Sequence, residues 1–482
     1  MEENQSQAAR AALHPTIFVI FGITGDLAAR KLIPALLSLY AKKMLPQRFA
    51  IIGFSRRPFS REEFRELIRT HMNVKPGQFK EEDIKHFLDH MSYEQGIFGD
   101  RAGYVRLSER ITDIDRRWGQ CSNKLFHLSV PPSLYEGILN NLAASGLTEP
   151  CADDTGWTRV LIEKPFGRDL DTAQSLDKLL AKLFKEKQIF RIDHYLAKES
   201  LQNIIAFRFS NSLFEPIWRR EFIDKVHVKI FEQGDISGRG DSYDPIGALK
   251  DVGQNHVLMM LATVCMDKPK SFVAEAIRKE RAAVLGKLKA ASGKSLKECT
   301  IRGQYIGYTN EENVPKDSQT ETYFRIKSLV NSKRWKGVPF YLESGKALSE
   351  SKTEIDVYFK SDKKAPTSSA DPARAEESQN ILTFRIQPDE GIKIKFFVKT
   401  PGLEFNVEPK TLKFKYSEQA TPGWVIMPND YERLIHDAFV GDQTLFASTE
   451  EIMASWKFIE AVIKSWKNVP LTRYEKGARE VL

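Results

Sequence analysis

The sequence predicts two domains of different class: an α/β unit built on a Rossmann-like doubly wound sheet, then an α+β unit with a large, mainly antiparallel sheet. Three observations predict this. Thr16–Phe21 is a continuous apolar run that ends in Gly22-Ile23-Thr24-Gly25-Asp26-Leu27-Ala28 and is followed by a helical pattern. Further short apolar runs alternate with helical patterns as far as residue 190. Beyond residue 200 the strands change texture, to period-two alternation with one apolar face. With 482 residues the chain is too long for one ordinary domain. The boundaries are drawn at 15–192 and 193–482.

Taken in order, 16–21 reads as a buried parallel strand. Strand, glycine turn and helix form the geometry in which backbone N–H groups and a helix N-terminus cradle a pyrophosphate. The spacing G-x-x-G-x-x-A is a variant of the dinucleotide fingerprint, weak alone and stronger for its place between strand and helix. Leu32, Leu36 and Leu39 share one side of the helix, and Pro34 inside it is expected to kink it. The strand at 49–53 carries the cofactor choice. NAD enzymes usually place Asp or Glu just after it, whereas this chain has Phe54-Ser55-Arg56-Arg57. Two arginines beside the ribose favour a 2′-phosphate, hence NADP; surface arginines in a loop are the plainer alternative. Ser60-x-x-Glu63 and Ser133-x-x-Glu136 have the spacing of capping boxes. Strands follow at 124–130 and 159–162, the latter ending in Glu163-Lys164-Pro165-Phe166-Gly167, at the edge where such sheets hold ligands. The proline restricts the Lys164 backbone and could fix where its ammonium points, although a surface turn is the simpler local reading.

After the strand-like run at 188–190 comes Arg191-Ile192-Asp193-His194-Tyr195-Leu196-Ala197-Lys198-Glu199. If the chain turns helical after Asp193, His194 and Lys198 project from one face, and with the Tyr195 hydroxyl they make a receptor for a compact anion. A solvated helix start is the alternative. Alternating strands are expected at 225–231, 323–329, 354–360, 381–387 and 392–399. A helix is expected to start at Asp244-Pro245 and to run past Met260, carrying Asp251-Val252-Gly253-Gln254-Asn255-His256. Another opens at Ser448-x-x-Glu451 and buries Ile452, Trp456, Ile459 and Ile463. The segment 365–379, rich in Ser, Ala, Pro and Glu, reads as a loop.

Composition narrows the function classes. The 72 basic and 64 acidic residues leave a net charge of +8 on a mixed surface without a long basic run, so nucleic acid is not an expected partner. No apolar stretch suits a signal peptide or a membrane span. Cys121, Cys151, Cys265 and Cys299 lie far apart without metal-ligand spacing and read as free thiols in a reducing cytoplasm. His86 and His90 are four apart but have no third ligand in view, so no metal is expected.

Taken together, residues 22–27, 163–167, 191–199 and 251–256 resemble glucose-6-phosphate dehydrogenase, and the resemblance covers nearly the whole chain. It implies oxidation of C1 of glucose 6-phosphate with NADP to 6-phosphoglucono-δ-lactone and NADPH, the first oxidative step of the pentose phosphate pathway. It also implies a homodimer or homotetramer assembled through the second domain. By motif, His256 matches the general base, and a neutral imidazole suits that task near neutral pH. Asp193 matches the acid that orients it. Asp251 is the tempting alternative, but five residues along an α-helix is about 140° around the axis, so the two are expected to point apart. His194, Tyr195 and Lys198 match phosphate and sugar contacts, with Lys198 also close to the reacting centre, and Lys164 matches a residue near both cofactor and sugar. Glu232 and Asp251 match acids that bind sugar hydroxyls, and Lys346 and Gln387 match further substrate contacts. Gly22, Thr24, Gly25, Asp26, Leu27, Arg56 and Tyr135 match the cofactor side.

Two departures stand out. Members commonly carry a second basic substrate residue five positions after Lys346; here that position is Ser351, with Lys352 next. The run 274–304 is longer than the family needs and reads as a surface helix and loop. Two other functions stay open at this level: a related dehydrogenase for another sugar or for NAD, and a silent dinucleotide-binding regulator. The arginines and the phosphate cluster argue against the first, and the presence of both His256 and Asp193 against the second.

Overall fold

The computed structural model describes residues 14–151, 156–290, 299–361, 378–418 and 428–481. The chain forms two compact units. The first comprises Met1–Gly167, Asp171–Ala197 and Pro428–Thr449, and the second comprises Arg168–Leu170, Lys198–Met427 and Glu450–Leu482. The chain thus crosses after Ala197 rather than after Ile192, and a late segment returns to the first unit.

Among the described residues, parallel strands build the first unit: β1 (Thr16–Phe21), β2 (Phe49–Ser55), β3 (Met91–Gln95), β4 (Asn123–Leu128), β5 (Thr158–Glu163) and β6 (Ile189–Ile192). Their order is β6-β5-β4-β1-β2-β3, so the chain reverses direction across the sheet at β1 and β4. In such sheets the crevice at the carboxyl ends of that reversal holds the ligand. A short strand, Phe446–Ala447, pairs antiparallel with β6 and closes the edge. β1 is buried along its whole length, as a strand covered on both faces must be.

Proline at position 34 has a specific consequence. Residues Ala28–Leu32 form a π-helical turn, and an α-helix, Ile33–Ala41, resumes with the proline in its first turn. A residue without an N–H cannot continue the i→i−4 ladder, and the wider turn ahead of it absorbs the defect. Ser60 and Glu63 form a complete capping box. Ser133 and Glu136 do not: a 3-10 turn, Pro132–Leu134, starts that helix, and no side chain caps Tyr135–Ala144.

Among the described residues the second unit holds a large sheet built of β7 (Ile223–Phe231), β8 (Leu288–Ala290), β9 (Thr300–Tyr305), β10 (Tyr323–Val330), β11 (Pro339–Gly345), β12 (Lys352–Phe359), β13 (Ile381–Gln387), β14 (Gly391–Lys399) and β15 (Val407–Lys415), with Leu471–Tyr474 at one end. Pairing is antiparallel except between β7 and β11 and between β9 and Leu471–Tyr474. Along β7, Val226, Val228 and Ile230 are buried while the residues between them are half-buried, so one face of the sheet carries the core. Helices cover that face; a Cβ on Gly253 would lie 3.0 Å from the Phe324 ring of β10, so glycine sets how closely helix and sheet approach.

Several expectations are corrected here. The helix expected from Asp244-Pro245 begins three residues later, because the Asp244 carboxylate accepts hydrogen bonds from Tyr308 and Ser318 instead of capping it. The run 274–304 is not only surface: Ala274–Leu285 is a helix whose Arg281 is buried against Glu451 at 2.6 Å, and β9 belongs to the sheet. Cys121 and Cys151 form a disulfide, with Cα atoms 6.1 Å apart, where free thiols were expected. The chain closes a loop of 30 residues to bring them together, which the sequence spacing does not reveal. Cys265 and Cys299 are free thiols. In the helix Thr449–Ser465, Ile452, Trp456 and Ile459 are buried and Ile463 is half-buried. The expected loop at 365–379 lies, but for its last two residues, outside the described residues.

Candidate active site

In the first unit most residues expected on the cofactor side follow the carboxyl ends of β1, β2 and β5, and Tyr135 comes after β4. Gly22 has φ +79°, and a Cβ there would lie 2.2 Å from the carbonyl oxygen of Ser129, just after β4. Only glycine fits. Its N–H donates to the Phe54 carbonyl at 2.9 Å and its carbonyl accepts from Gly25 N–H at 2.9 Å, which folds the turn tightly ahead of the helix starting at Asp26. The Thr24 and Ser55 hydroxyls are 3.1 Å apart, tying the turn to the end of β2. Asp26 pairs with Arg30 at 2.7 Å on the surface. Arg56 follows β2, is exposed, and takes part in no ion pair among the described residues.

Lys164 follows β5, with a cis bond to Pro165. The preceding Glu163 is held by a buried set the sequence did not disclose. Its side chain accepts from the Tyr431 hydroxyl at 3.1 Å and lies 3.3 Å from His127 Nε2, and its carbonyl accepts from the Tyr135 hydroxyl at 3.0 Å. Tyr135 is therefore an internal brace for the Lys164 turn, its phenol pushed far up by burial. His90, half of the pair considered as chelators, stacks on Phe49 with ring centroids 4.1 Å apart.

Arg191 anchors the end of β6. It is buried and bound to Asp177 at 2.8 Å, Glu186 at 2.9 Å and the Thr449 hydroxyl at 2.8 Å. Asp193 is 2% exposed, and its Oδ1 accepts from Tyr195 N–H at 3.0 Å. That side-chain-to-backbone bond folds residues 193–197 as a turn in place of a helix. The helix begins at Glu199, with Lys198 as its extended N-cap, so His194 and Lys198 do not share a helical face as expected.

In the second unit, Glu232 and Lys346 are brought together. Lys346, directly after β11, donates from Nζ to Glu232 Oε2 at 2.7 Å, at the end of β7. The lysine side chain is 4% exposed and the glutamate 38%, so the carboxylate is the more accessible partner. The ammonium also lies 5.6 Å from the centre of the Tyr243 ring. Burial, with the Glu321 and Asp251 charges, drives the Tyr243 hydroxyl well above its usual range, which keeps it a donor. Tyr243 is a residue that sequence reasoning missed; it lies in a short helix with no periodic signal.

Asp251 and His256 lie in one π-helical segment, Leu249–Val257, where Asn255 Nδ2 donates to the Asp251 carbonyl at 2.9 Å. This corrects the angular argument against pairing them. In a ladder of i→i+5 bonds a residue five positions on lies about one turn further, nearly above its predecessor. Gln387 closes β13, opposite Thr353. Ser351 accepts from Gln233 N–H at 2.9 Å, and Lys352 is occupied by Glu350 at 2.5 Å and Glu354 at 3.5 Å.

Two domain descriptions match consecutive stretches of the chain: "Glucose-6-phosphate dehydrogenase, NAD binding domain" over residues 19–203 and "Glucose-6-phosphate dehydrogenase, C-terminal domain" over 205–481. The chain belongs to the glucose-6-phosphate dehydrogenase family. It is 39% identical over 467 residues to the glucose-6-phosphate 1-dehydrogenase of Chlamydia pneumoniae, covering 94% of this chain and 90% of that one. The enzyme of Aggregatibacter actinomycetemcomitans is also 39% identical, over 455 residues, with 92% and 90% covered. A solved glucose-6-phosphate dehydrogenase in complex with its substrate glucose 6-phosphate superposes with a TM-score of 0.87 at 33% identity, over 98% of this chain and 96% of that one. The crystal structure from Mycobacterium avium gives 0.81 at 31% identity, with 96% and 95% covered. Among the described residues, no helix of this glucose-6-phosphate dehydrogenase family member is long and apolar enough to cross a membrane.

Proposed function

We propose that the protein oxidises C1 of glucose 6-phosphate with NADP, yielding 6-phosphoglucono-δ-lactone. The observation that carries this reading is the end-to-end likeness to the solved dehydrogenase whose complex holds glucose 6-phosphate. Family membership brings an oxidoreductase activity with a nicotinamide cofactor; the choice of NADP is the finer proposal. The left-handed Gly22, closed against Ser129, suits the close approach of a pyrophosphate to backbone N–H groups. Gly25, Thr24 and the helix start at Asp26-Leu27 complete that cradle, and Arg56 supplies a cation where an NAD enzyme would place a carboxylate. Bound there, NADP supplies the hydride acceptor.

The chain's own residues divide the remaining tasks. His256 takes the C1 hydroxyl proton as an uncharged base. We assign Asp193 to orient that imidazole and to balance its charge once protonated; Asp251 and Glu232 accept from sugar hydroxyls. His194, Tyr195 and Lys198 receive the phosphate and adjacent sugar atoms. Lys164 serves both cofactor and sugar, while Lys346 and Gln387 complete the substrate contacts. The carboxylates held on Lys352 leave it a poor substitute for a basic residue at 351, which weakens the phosphate grip.

Assembly as a homodimer or homotetramer through the second unit belongs to the same proposal. It is supported by Leu403, Phe405 and Leu412, large apolar side chains exposed on and around the β14–β15 hairpin. A cytoplasmic location is also proposed, with the Cys121–Cys151 bridge as the feature that speaks against it. A steady-state panel of glucose 6-phosphate and glucose, each with NADP and NAD, tests the substrate and cofactor choices. Turnover confined to glucose 6-phosphate with NADP supports them, and an NADP preference retained undiminished in Arg56→Ala overturns the role of Arg56.

A further inference from the structure

The second unit contains an open cavity of about 970 Å³ at which no residue of the proposed catalytic machinery lies. Six basic side chains and three acidic ones line it. Its floor is fixed. Arg208 is fully buried and donates to Glu215 at 3.0 Å, and Arg334 binds the same glutamate at 2.8 Å and Asp267 at 2.6 Å. These pairs consume the acids of the floor. The rim differs: Lys268, Lys287 and Lys333 are exposed and form no ion pair among the described residues, and Ser210, Ser212 and Asn331 add neutral hydrogen-bonding groups. One donor on the floor is also unspent, since Arg208 Nε–H is buried with no hydrogen-bond partner among the described residues.

The floor connects two helices that matter to the proposed chemistry. Arg208 lies near the C-terminal end of Glu199–Phe209, the helix that Lys198 starts. Its Nη1 donates to the carbonyls of Val264, at 3.1 Å, and Met266, at 2.8 Å. Those carbonyls end the helix Leu258–Cys265, which continues directly from the π-helical segment with Asp251 and His256. Trp218 and Trp335 indoles donate to the same helix end, at Val264 and Cys265. A charge placed in the cavity therefore acts on the far ends of both helices, where guanidinium and indole groups hold otherwise free carbonyls.

We propose that this cavity is a regulatory site for a small polyanion of the phosphorylated-metabolite class, bound by Lys268, Lys287 and Lys333 over the arginine floor. The volume admits a ligand of that size, and several ammonium groups converging on polar walls suit phosphoryl oxygens. The regulatory part rests on the proposed roles of Lys198, Asp251 and His256; the binding part does not.

Inorganic pyrophosphate is the probe. Calorimetric titration of the full chain is done with glucose 6-phosphate and NADPH already saturating, so that phosphate subsites of the catalytic centre are filled. A Lys268→Ala/Lys287→Ala/Lys333→Ala variant, altered only at exposed side chains, is titrated beside it. The expected result is one pyrophosphate per chain, weakened about ten-fold or more in the variant and by added salt. Loss of all pyrophosphate binding once the catalytic ligands are present, or equal affinity in the variant, overturns the site. At saturating glucose 6-phosphate and NADP, pyrophosphate should change kcat in the unaltered protein and not in the variant. An identical response in both overturns the coupling. A separate titration with glucose 6-phosphate alone reports on the catalytic reading, so failure of one is distinguishable from failure of the other.

Discussion

His256 and Lys346 are proposed to have different jobs and should fail in different ways. His256→Asn removes the proposed base but keeps a polar side chain of similar reach, so kcat should fall by ~10²–10⁴ with KM for glucose 6-phosphate little changed. Because the proposed base must be uncharged, kcat/KM should decline as pH falls and the imidazole takes up a proton, and a pH–rate profile checks the sign. Lys346→Ala instead leaves Glu232 without its 2.7 Å partner, at a position proposed to bind substrate throughout the reaction. KM should rise by about ten-fold or more while kcat changes less. The π-helical turn reopens the choice of acid, and kinetics decides it: Asp193→Asn should cost kcat, Asp251→Asn mainly KM. Gly22→Ala places a methyl 2.2 Å from the Ser129 carbonyl on a left-handed backbone, and calorimetry should record a loss of ~1–3 kcal/mol of stability.

At the scale of elements, Arg281 and Glu451 join two helices through a pair with 1% and 0% exposed side chains. Arg281→Met alone removes the 2.6 Å cation from a buried carboxylate and should cost about 3–5 kcal/mol, whereas adding Glu451→Leu should restore most of it. Denaturant unfolding of the single and double variants checks this. The same scale shows what the sequence disclosed. β1, with its unbroken apolar run, and β13, with strict alternation, were legible because burial dictates those patterns. The π-helical segment was not, because its polar residues Gln254, Asn255 and His256 are buried by tertiary packing that leaves no periodic trace. Asp244-Pro245 carried a local start signal that lost to hydrogen bonds from Tyr308 and Ser318, residues more than sixty positions away. Asp193 likewise spent its side chain on the turn that keeps His194 and Lys198 off a common helix.

At the scale of the whole molecule, the alternation of strands and helices disclosed both fold classes, and the glycine turn with residues 191–199 and 251–256 marked the candidate site. Long-range closures stayed hidden: the strand Phe446–Ala447 beside β6, Tyr431 on Glu163 and Cys121 on Cys151 each join segments with no local signature of pairing. The exposed apolar residues near β14 and β15 predict self-association. Sedimentation should give at least twice the mass of one chain, and Leu412→Asp should shift the equilibrium toward the single chain if that hairpin is in the interface. The central claim is tested most directly by reduced-nicotinamide absorbance with glucose 6-phosphate and NADP, for the unaltered protein beside folded His256→Asn. Fast reduction that requires the sugar phosphate and collapses in the variant is the predicted result; equal rates in both, or no reduction by protein that binds NADP, would contradict it.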